Sequence, residues 1–192
     1  MDRIIARACA AVLTLVLAAC SVPENAVQGN RDLGDFQLCG QFVTFVANDP
    51  GPLSRKATED EWVNALNAEI ARQLGPYKGG KCYTVSVAVE GYGLAQPGVP
   101  LVFSPKSGLL VRAFVFDNDL IEAGVPSVLN KGGEQLQVAL VDQGGLFNDR
   151  DAQLGALART GVAEVVKWME RNPEWFDGDG NAELAARQAA GR

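Results

Sequence analysis

Hydrophobic residues recur along the chain with two different periods, which predict strands and two long helices. Alternating apolar positions occur in Tyr83 to Glu90, Leu109 to Phe116 and Leu136 to Leu140, and each stretch predicts a strand with a buried face. The second stretch is apolar on both faces and is therefore expected near the middle of the sheet. An earlier apolar run, Leu38 to Ala47, predicts a first strand that ends at the turn-forming residues 48–52.

Two stretches show the 3.6-residue period of an amphipathic helix. The first begins at Thr58, which forms a capping box with Glu61, and ends at Gly75-Pro76. Its apolar stripe consists of Trp62, Leu66, Ile70 and Leu74. The second ends at Asn172-Pro173, and its N-cap is Asn148, Asp149 or Asp151. Its stripe consists of Leu154, Leu157, Ala158, Gly161, Val162, Val165, Trp168 and Met169.

The predicted order is β-α-β-β-β-α, which indicates an α+β fold. We expect a two-layer sandwich, with two helices packed on one face of a mostly antiparallel sheet. The first βαβ unit predicts a right-handed crossover. Val125 to Leu129 is a further candidate strand that contains Pro126, and Trp175-Phe176 are expected to fold back onto the edge of the core.

The first apolar run has the layout of a secretory signal peptide. Arg3 and Arg7 precede Ala8 to Leu17, which is uncharged but much shorter than the roughly 20 residues of a membrane span. Leu17-Ala18-Ala19-Cys20 resembles a bacterial lipobox, which implies cleavage before Cys20 and its lipidation. Two or three acyl chains anchor a protein stably. Ser21, where Asp would favour the inner membrane, resembles the class directed to the outer membrane.

These observations divide the chain into four parts. Residues 1–19 are the expected signal peptide, 20–35 a lipidated tether, 36–176 a single domain and 177–192 a flexible tail. The expected location is the outer membrane, facing the periplasm, and the inner membrane is the less favoured alternative.

Charge and composition restrict the chemistry. The chain has 17 basic and 23 acidic side chains, a net charge of −6, which disfavours nucleic acid as a partner. Histidine is absent, so the commonest general base and the commonest metal ligand are missing. We therefore expect no enzyme activity, no cofactor and no metal, although carboxylate or lysine chemistry stays open.

The four cysteines have different expected fates. Cys9 lies in the signal peptide and Cys20 takes the lipid, which leaves Cys39 and Cys82. An even pair in an oxidising compartment predicts a disulfide, and both residues open strands at the same end of the predicted βαβ unit. Two buried free thiols are the alternative.

Three near-motifs are better explained by local structure. Residues 75–82 fit the GxxxxGK part of a phosphate loop, but they lead from a helix into a strand. Gly91-Tyr92-Gly93 lacks the third glycine of a dinucleotide-binding turn. Residues 177–181 resemble the start of a calcium loop whose glycine and closing glutamate are missing.

The stretch Gly91 to Gly108, GYGLAQPGVPLVFSPKSG, is predicted as a long loop between two strands. One interpretation is a cover for one end of the sheet, or an added edge strand through Val99 to Ser104. The other is a stiff apolar surface that docks a partner protein or an acyl chain. The docking residues would be Leu94, Val99, Leu101 and Phe103.

Together with the lipobox, this stretch, the following VRAFVFD strand and the terminal NPEWF resemble a group of small Gram-negative envelope lipoproteins without an assigned activity. The resemblance covers roughly residues 80–176 and implies secretion and lipidation, with no catalytic residue. In layout the chain also resembles the lipopolysaccharide-assembly lipoprotein and auxiliary lipoproteins of lipid-transport systems, a likeness of fold alone.

The sequence therefore predicts a non-enzymatic lipoprotein, an accessory or scaffold in envelope assembly or transport. It would bind the membrane through its lipid and an envelope protein through the 91–108 stretch and an exposed sheet edge. The alternative is a small-ligand or lipid binder that uses an apolar cleft between helices and sheet. A hydrolase with a serine or lysine nucleophile is a third and weaker hypothesis.

Overall fold

The computed structural model describes residues 33–50, 52, 54–96, 107–122, 124, 136–142 and 149–177, with the backbone alone in 136–142. These residues form the predicted α+β fold, in which two long helices pack on a mixed, mostly antiparallel sheet. The signal peptide, the lipobox, nearly all of the tether, the candidate strand at Val125 to Leu129 and residues 178–192 lie outside the described residues.

The predicted order of elements is present, with three short additions. The strands are β1 (Phe36–Phe45), β2 (Ser54–Arg55), β3 (Lys81–Ala95), β4 (Ser107–Asp117) and β5 (Leu136–Asp142). The helices are α1 (Glu59–Leu74), α2 (Asn118–Glu122) and α3 (Arg150–Glu170), followed by a 3-10 turn at Pro173–Trp175. The additions are β2, α2 and the 3-10 turn.

The main sheet has the strand order β1-β3-β4-β5. β1 and β3 are parallel and are connected through α1, whereas β3–β4 and β4–β5 are antiparallel. β4, apolar on both faces, lies between two strands as predicted. The two residues of β2 pair with Leu94 and Ala95 at the end of β3.

The predicted long loop at Gly91 to Gly108 is wrong at both ends. β3 continues through Ala95, and β4 already begins at Ser107. Gly91 pairs with Leu110 and Gly93 with Gly108, after a one-residue register shift that follows Val89. Gly91-Tyr92-Gly93 is therefore strand, and only residues 96–106 connect β3 to β4.

The capping box predicted for α1 is present. The Thr58 hydroxyl accepts the Glu61 backbone N–H at 3.3 Å, and the Glu61 carboxylate accepts the Thr58 backbone N–H at 2.7 Å. The predicted apolar stripe of α1 is fully buried. Residues 75–80 then lead from α1 into β3, so the phosphate-loop lookalike is a helix-to-strand turn, as interpreted.

α3 begins at the predicted Asp149, whose carboxylate accepts the Ala152 backbone N–H at 2.7 Å. Every residue of its predicted stripe is buried, including Gly161. The helix makes most of its sheet contacts with β4 and β5, while α1 lies over β1, and the two helices touch each other. One face of the sheet therefore carries the helical layer.

An aromatic cluster closes one end of the core. Phe36 of β1 stacks on Tyr83 of β3 at 5.3 Å between ring centroids, and Phe176 meets both rings edge-on. The Tyr83 hydroxyl donates to the Trp175 carbonyl at 3.2 Å. Trp175 and Phe176 thus fold back onto the core, as predicted.

The predicted disulfide joins Cys39 to Cys82, with 5.3 Å between their Cα atoms. Both residues lie near the beginnings of neighbouring parallel strands, where Cys82 pairs in register with Gln37. The register of β1 shifts between Leu38 and Gly40, beside the bridge. The alternative of two buried free thiols is excluded, and Cys39 is exposed.

Candidate functional site

The sheet has two unlike faces because side chains alternate along each strand. On β4 the odd-numbered residues, from Leu109 to Val115, are buried beneath the helices. The even-numbered residues of β4 are only half-buried and lie on the opposite side. We call this side the outer face; its side chains come from Phe42 and Thr44 of β1, Thr84, Ser86 and Ala88 of β3, and Leu110, Arg112, Phe114 and Phe116 of β4.

Three phenylalanines form an aromatic cluster on the outer face. The ring of Phe42 lies 6.2 Å from that of Phe116, and Phe116 lies 6.3 Å from Phe114, between ring centroids. Across the sheet, Phe42 and Phe114 both pair in register with Ser86. Phe42 keeps 45% of its surface exposed, more than a phenylalanine in a monomer core would.

The middle strand of this face carries small side chains. Thr84, Ser86 and Ala88 of β3 lie between the larger residues of β1 and β4. Ser86 in the middle of this row is only 4% exposed, so its larger neighbours cover it.

A charged pair lies on β3 and β4 beside these small residues. The Arg112 guanidinium forms an ion pair with Glu90, where β3 bulges next to Gly91. The Nε atom of Arg112 is buried and has no hydrogen-bond partner in the described part of the chain. Because Nε has almost no accessible surface, only the exposed part of the Arg112 side chain can meet a molecule on the outer face.

One edge of the sheet, β1, is also accessible to pairing. Ten residues form this strand, FQLCGQFVTF, and none of them is charged or proline. Among the described residues, only its beginning is paired on that side, since Gln37 bridges to Lys78 and the Phe36 carbonyl accepts the Gly79 N–H. β1 is one of the two edge strands of the main sheet, and the sequence predicts docking at a sheet edge.

The strongest ionic cluster joins the first turns of α1 and α3. Arg150 pairs with Glu61 and Asp151 and donates to the Lys56 carbonyl at 2.7 Å. Hydrogen bonds from Arg150 and from the Thr58 backbone lower the pKa of Glu61 to about 2. A carboxylate that stays ionised near neutral pH holds two helices together but cannot act there as a general acid.

The hydroxyls of the buried Ser107 and the half-buried Ser54 form structural hydrogen bonds. Ser107 donates to the Gln153 side-chain carbonyl at 2.8 Å and accepts the Ala95 backbone N–H at 3.0 Å. Ser54 donates to a backbone carbonyl and accepts the Leu94 N–H. An amide or a peptide carbonyl cannot take up a hydroxyl proton, so neither serine is an activated nucleophile in this arrangement.

The residues predicted for docking lie apart from the outer face. Leu94 is 1% exposed and belongs to the core, so it is not part of an exposed docking surface. Val99, Leu101 and Phe103 lie outside the described residues, as does the lipidation site Cys20.

The sequence does not single out the outer-face residues Phe42, Phe114 and Phe116 as candidate site residues. The signal for them is that β4 is apolar on both faces, whereas the predicted helices cover only one face of the sheet. The other apolar face is therefore left without a layer of helices.

Among the described residues, no three side chains of the His, Cys, Asp or Glu type are grouped as metal ligands. No helix in the same part of the chain combines the length and the apolar character needed to cross a bilayer.

Comparisons with known proteins give only remote likenesses. No family model and no curated protein matches the chain. The hypothetical protein CT253 from Chlamydia trachomatis has a similar structure, with a TM-score of 0.41 and 14% identity over 69% of this chain and 97% of that one. An uncharacterised protein has a TM-score of 0.37 and 12% identity over 74% of this chain and 94% of its own. Similarities at this level say nothing about what the chain does.

Proposed function

We propose that the chain is a non-enzymatic lipoprotein anchored through Cys20 in the outer membrane and facing the periplasm. Its role is that of an accessory or scaffold in envelope assembly or transport, in which the outer face of the sheet docks a partner protein. The lipobox and Ser21 support the location. The lack of histidine supports a role without catalysis.

The aromatic cluster of the outer face carries the docking proposal. Aromatic side chains are enriched at the centres of protein interfaces, where a few of them supply most of the binding energy. Phe42, Phe114 and Phe116 touch one another on a face that the two long helices leave uncovered. A partner that covers this cluster removes apolar surface from water.

The alternative function, binding of a lipid between helices and sheet, has less support. Side chains with almost no exposed surface fill that layer where it is described, among them Trp62, Leu66, Ile70 and Leu157. A lipid would therefore have to use the outer face, which makes it an outcome of the same experiment. The acidic net charge keeps nucleic acid outside the proposal.

Crosslinking in cells tests the docking face. A photoreactive phenylalanine analogue replaces Phe116, and the control places it at Thr160, which is exposed on α3. We expect a discrete protein adduct at Phe116 that is absent at Thr160. Equal adducts at both positions, or none above background at Phe116, would refute the docking face.

The same photoreactive residue at Val99 tests the predicted loop separately. An adduct there, with the same mass as the adduct at Phe116, would place the loop beside the outer face in one interface. Delipidated protein mixed with an envelope lipid extract is measured in parallel by native mass spectrometry. A lipid bound in place of a protein adduct would decide for the alternative.

A further inference from the structure

The direction of the backbone groups of β1 follows from one hydrogen bond. The Val46 N–H donates to the Val89 carbonyl of β3 at 2.9 Å. The backbone N–H and C=O groups of successive residues point to opposite sides of a strand. Every second residue before Val46, namely Thr44 and Phe42, therefore also directs its backbone groups to β3. Gln41, Val43 and Phe45 therefore direct their N–H and C=O groups to the free edge of the sheet.

These outward groups have no partner within the described residues. The pairs of β1 are those with β3, together with the bridge from Gln37 to Lys78 at its beginning. Natural sheets usually protect such an edge with charged residues, proline or a bulge. β1 has only the register shift between Leu38 and Gly40, which leaves the stretch from Gln41 to Phe45 regular.

We propose that a second copy of this chain pairs with β1 in antiparallel orientation, with the two-fold axis at Val43. Val43 then exchanges both backbone hydrogen bonds with Val43 of the second copy. Gln41 pairs with Phe45 in the same way, so all outward groups of the stretch are satisfied. The assignment goes beyond the docking role proposed above, because it names a partner for the sheet edge and not for the outer face.

The side chains of β1 suit this register. On the outer face, Phe42 of each copy lies opposite Thr44 of the other, so the two-fold axis creates two such pairs. Both residues are exposed in the single chain. Aromatic and β-branched residues opposite each other stabilise antiparallel strands. A two-fold interface uses the same patch on both copies, which one short strand provides.

Charge opposes the association of two copies, but it does so least at this edge. Two chains that each carry a net charge of −6 repel each other, and like charges that face each other across a strand pair add to that repulsion. No residue from Phe36 to Phe45 is charged, so the pairing brings no like charges together in the ladder. Anchoring on one membrane would also raise the effective concentration of the two copies.

Cysteine crosslinking tests the register. Cells produce two differently tagged chains, one with Phe42→Cys and the other with Thr44→Cys. The proposed register places these positions about 4.5 Å apart between Cα atoms, which suits a disulfide. The control combines Thr44→Cys with Val46→Cys, at an equally accessible position, which the same register separates by about 13 Å.

We expect a heterodimer of the two tags with the first combination and none with the control. Equal crosslinking in both would overturn the register. A disulfide of either cysteine to a different protein, without the heterodimer, would overturn the second copy as the occupant of the edge.

Sedimentation equilibrium of the purified lipidated chain in detergent measures the association itself. Thr44→Glu places a carboxylate opposite the Phe42 ring of the second copy and about 7–8 Å, on the diagonal, from its own symmetry mate. Thr160→Glu makes the same change on the exposed surface of α3. We expect a dimer whose dissociation constant rises at least about tenfold in Thr44→Glu and stays unchanged in Thr160→Glu. A monomer at every concentration, or equal effects of the two variants, would overturn the proposal.

The two proposals fail separately. A monomer that still gives the Phe116 adduct in cells removes only the second copy. A dimer without a Phe116 adduct removes only the partner on the outer face.

Discussion

Removal of the Cys39–Cys82 disulfide should lower the free energy of unfolding of the domain, and the length of the loop that it closes sets the upper limit of this loss. The bridge joins residues separated by 43 positions in the sequence, and the loop contains all of α1. In the chain-entropy model, release of a loop of this size lowers the free energy of unfolding by about 4 kcal/mol. Cys39 is exposed and Cys82 partly buried, so serine at both positions creates no cavity and adds little to this loss.

The ladder between β1 and β3 persists without the bridge, because it spans nearly the full length of β1. We therefore expect the Cys39→Ser/Cys82→Ser chain to fold and to lose about 2–4 kcal/mol, since measured effects usually fall below the entropic bound. Urea unfolding gives this difference, and the reduced wild-type chain should match the variant. A loss below about 1 kcal/mol, or a reduced chain as stable as the oxidised one, would refute the reasoning.

Two further changes test the joint between the helices and a close backbone contact. Glu61→Gln should cost about 1 kcal/mol near neutral pH, after allowance for the 39% exposure of the Glu61 side chain beside Arg150. Folding lowers the pKa of Glu61 from 4.5 to about 2, so the contribution of this carboxylate to stability is complete above pH 4.5 and is lost as the pH falls towards 2. Plots of the free energy of unfolding against pH for the wild-type and Glu61→Gln chains should therefore converge near pH 2. Parallel plots would contradict this. Gly79→Ala should lower the free energy of unfolding in urea by about 3 kcal/mol or more, because the added Cβ would lie 2.1 Å from the Asp35 carbonyl carbon. Gly93→Ala is the control, since open space surrounds this position, and it should be close to neutral. Equal effects of the two alanines would show that steric contact is not the cause.

The sequence predicts most of the fold because each long element has a clear period. α1 shows this well: a capping box fixes its beginning, Gly75 its end, and its four buried positions recur every four residues. The prediction failed at Gly91-Tyr92-Gly93, since glycine has a low intrinsic preference for strands. The strand there is held by tertiary contacts.

Tyr92 provides those contacts. Its ring lies 5.2 Å from that of Trp62, and its hydroxyl bonds to both the N–H and the C=O of Ala57. Both partners come from the segment before and within α1, far from Tyr92 in the sequence. A local pattern cannot report them, so the strand was interpreted as loop.

The candidate site was predictable only in part, for a related reason. Alternation along β4 places Phe114 and Phe116 on one face, and this could be read from the sequence. The arrival of Phe42 beside them depends on the parallel pairing of β1 with β3, which α1 makes possible. Which face the helices leave uncovered is a property of the assembled domain, and no single strand encodes it.

The outer face and the free edge meet in β1, where they use different parts of the strand. Phe42 contributes its ring to the face, while Val43 contributes its backbone to the edge. A strand added at the edge extends the sheet sideways and leaves the face open, so a partner on the face and a second copy at the edge are compatible. Phe116→Glu should then impair the first interaction alone, and Phe42→Glu both.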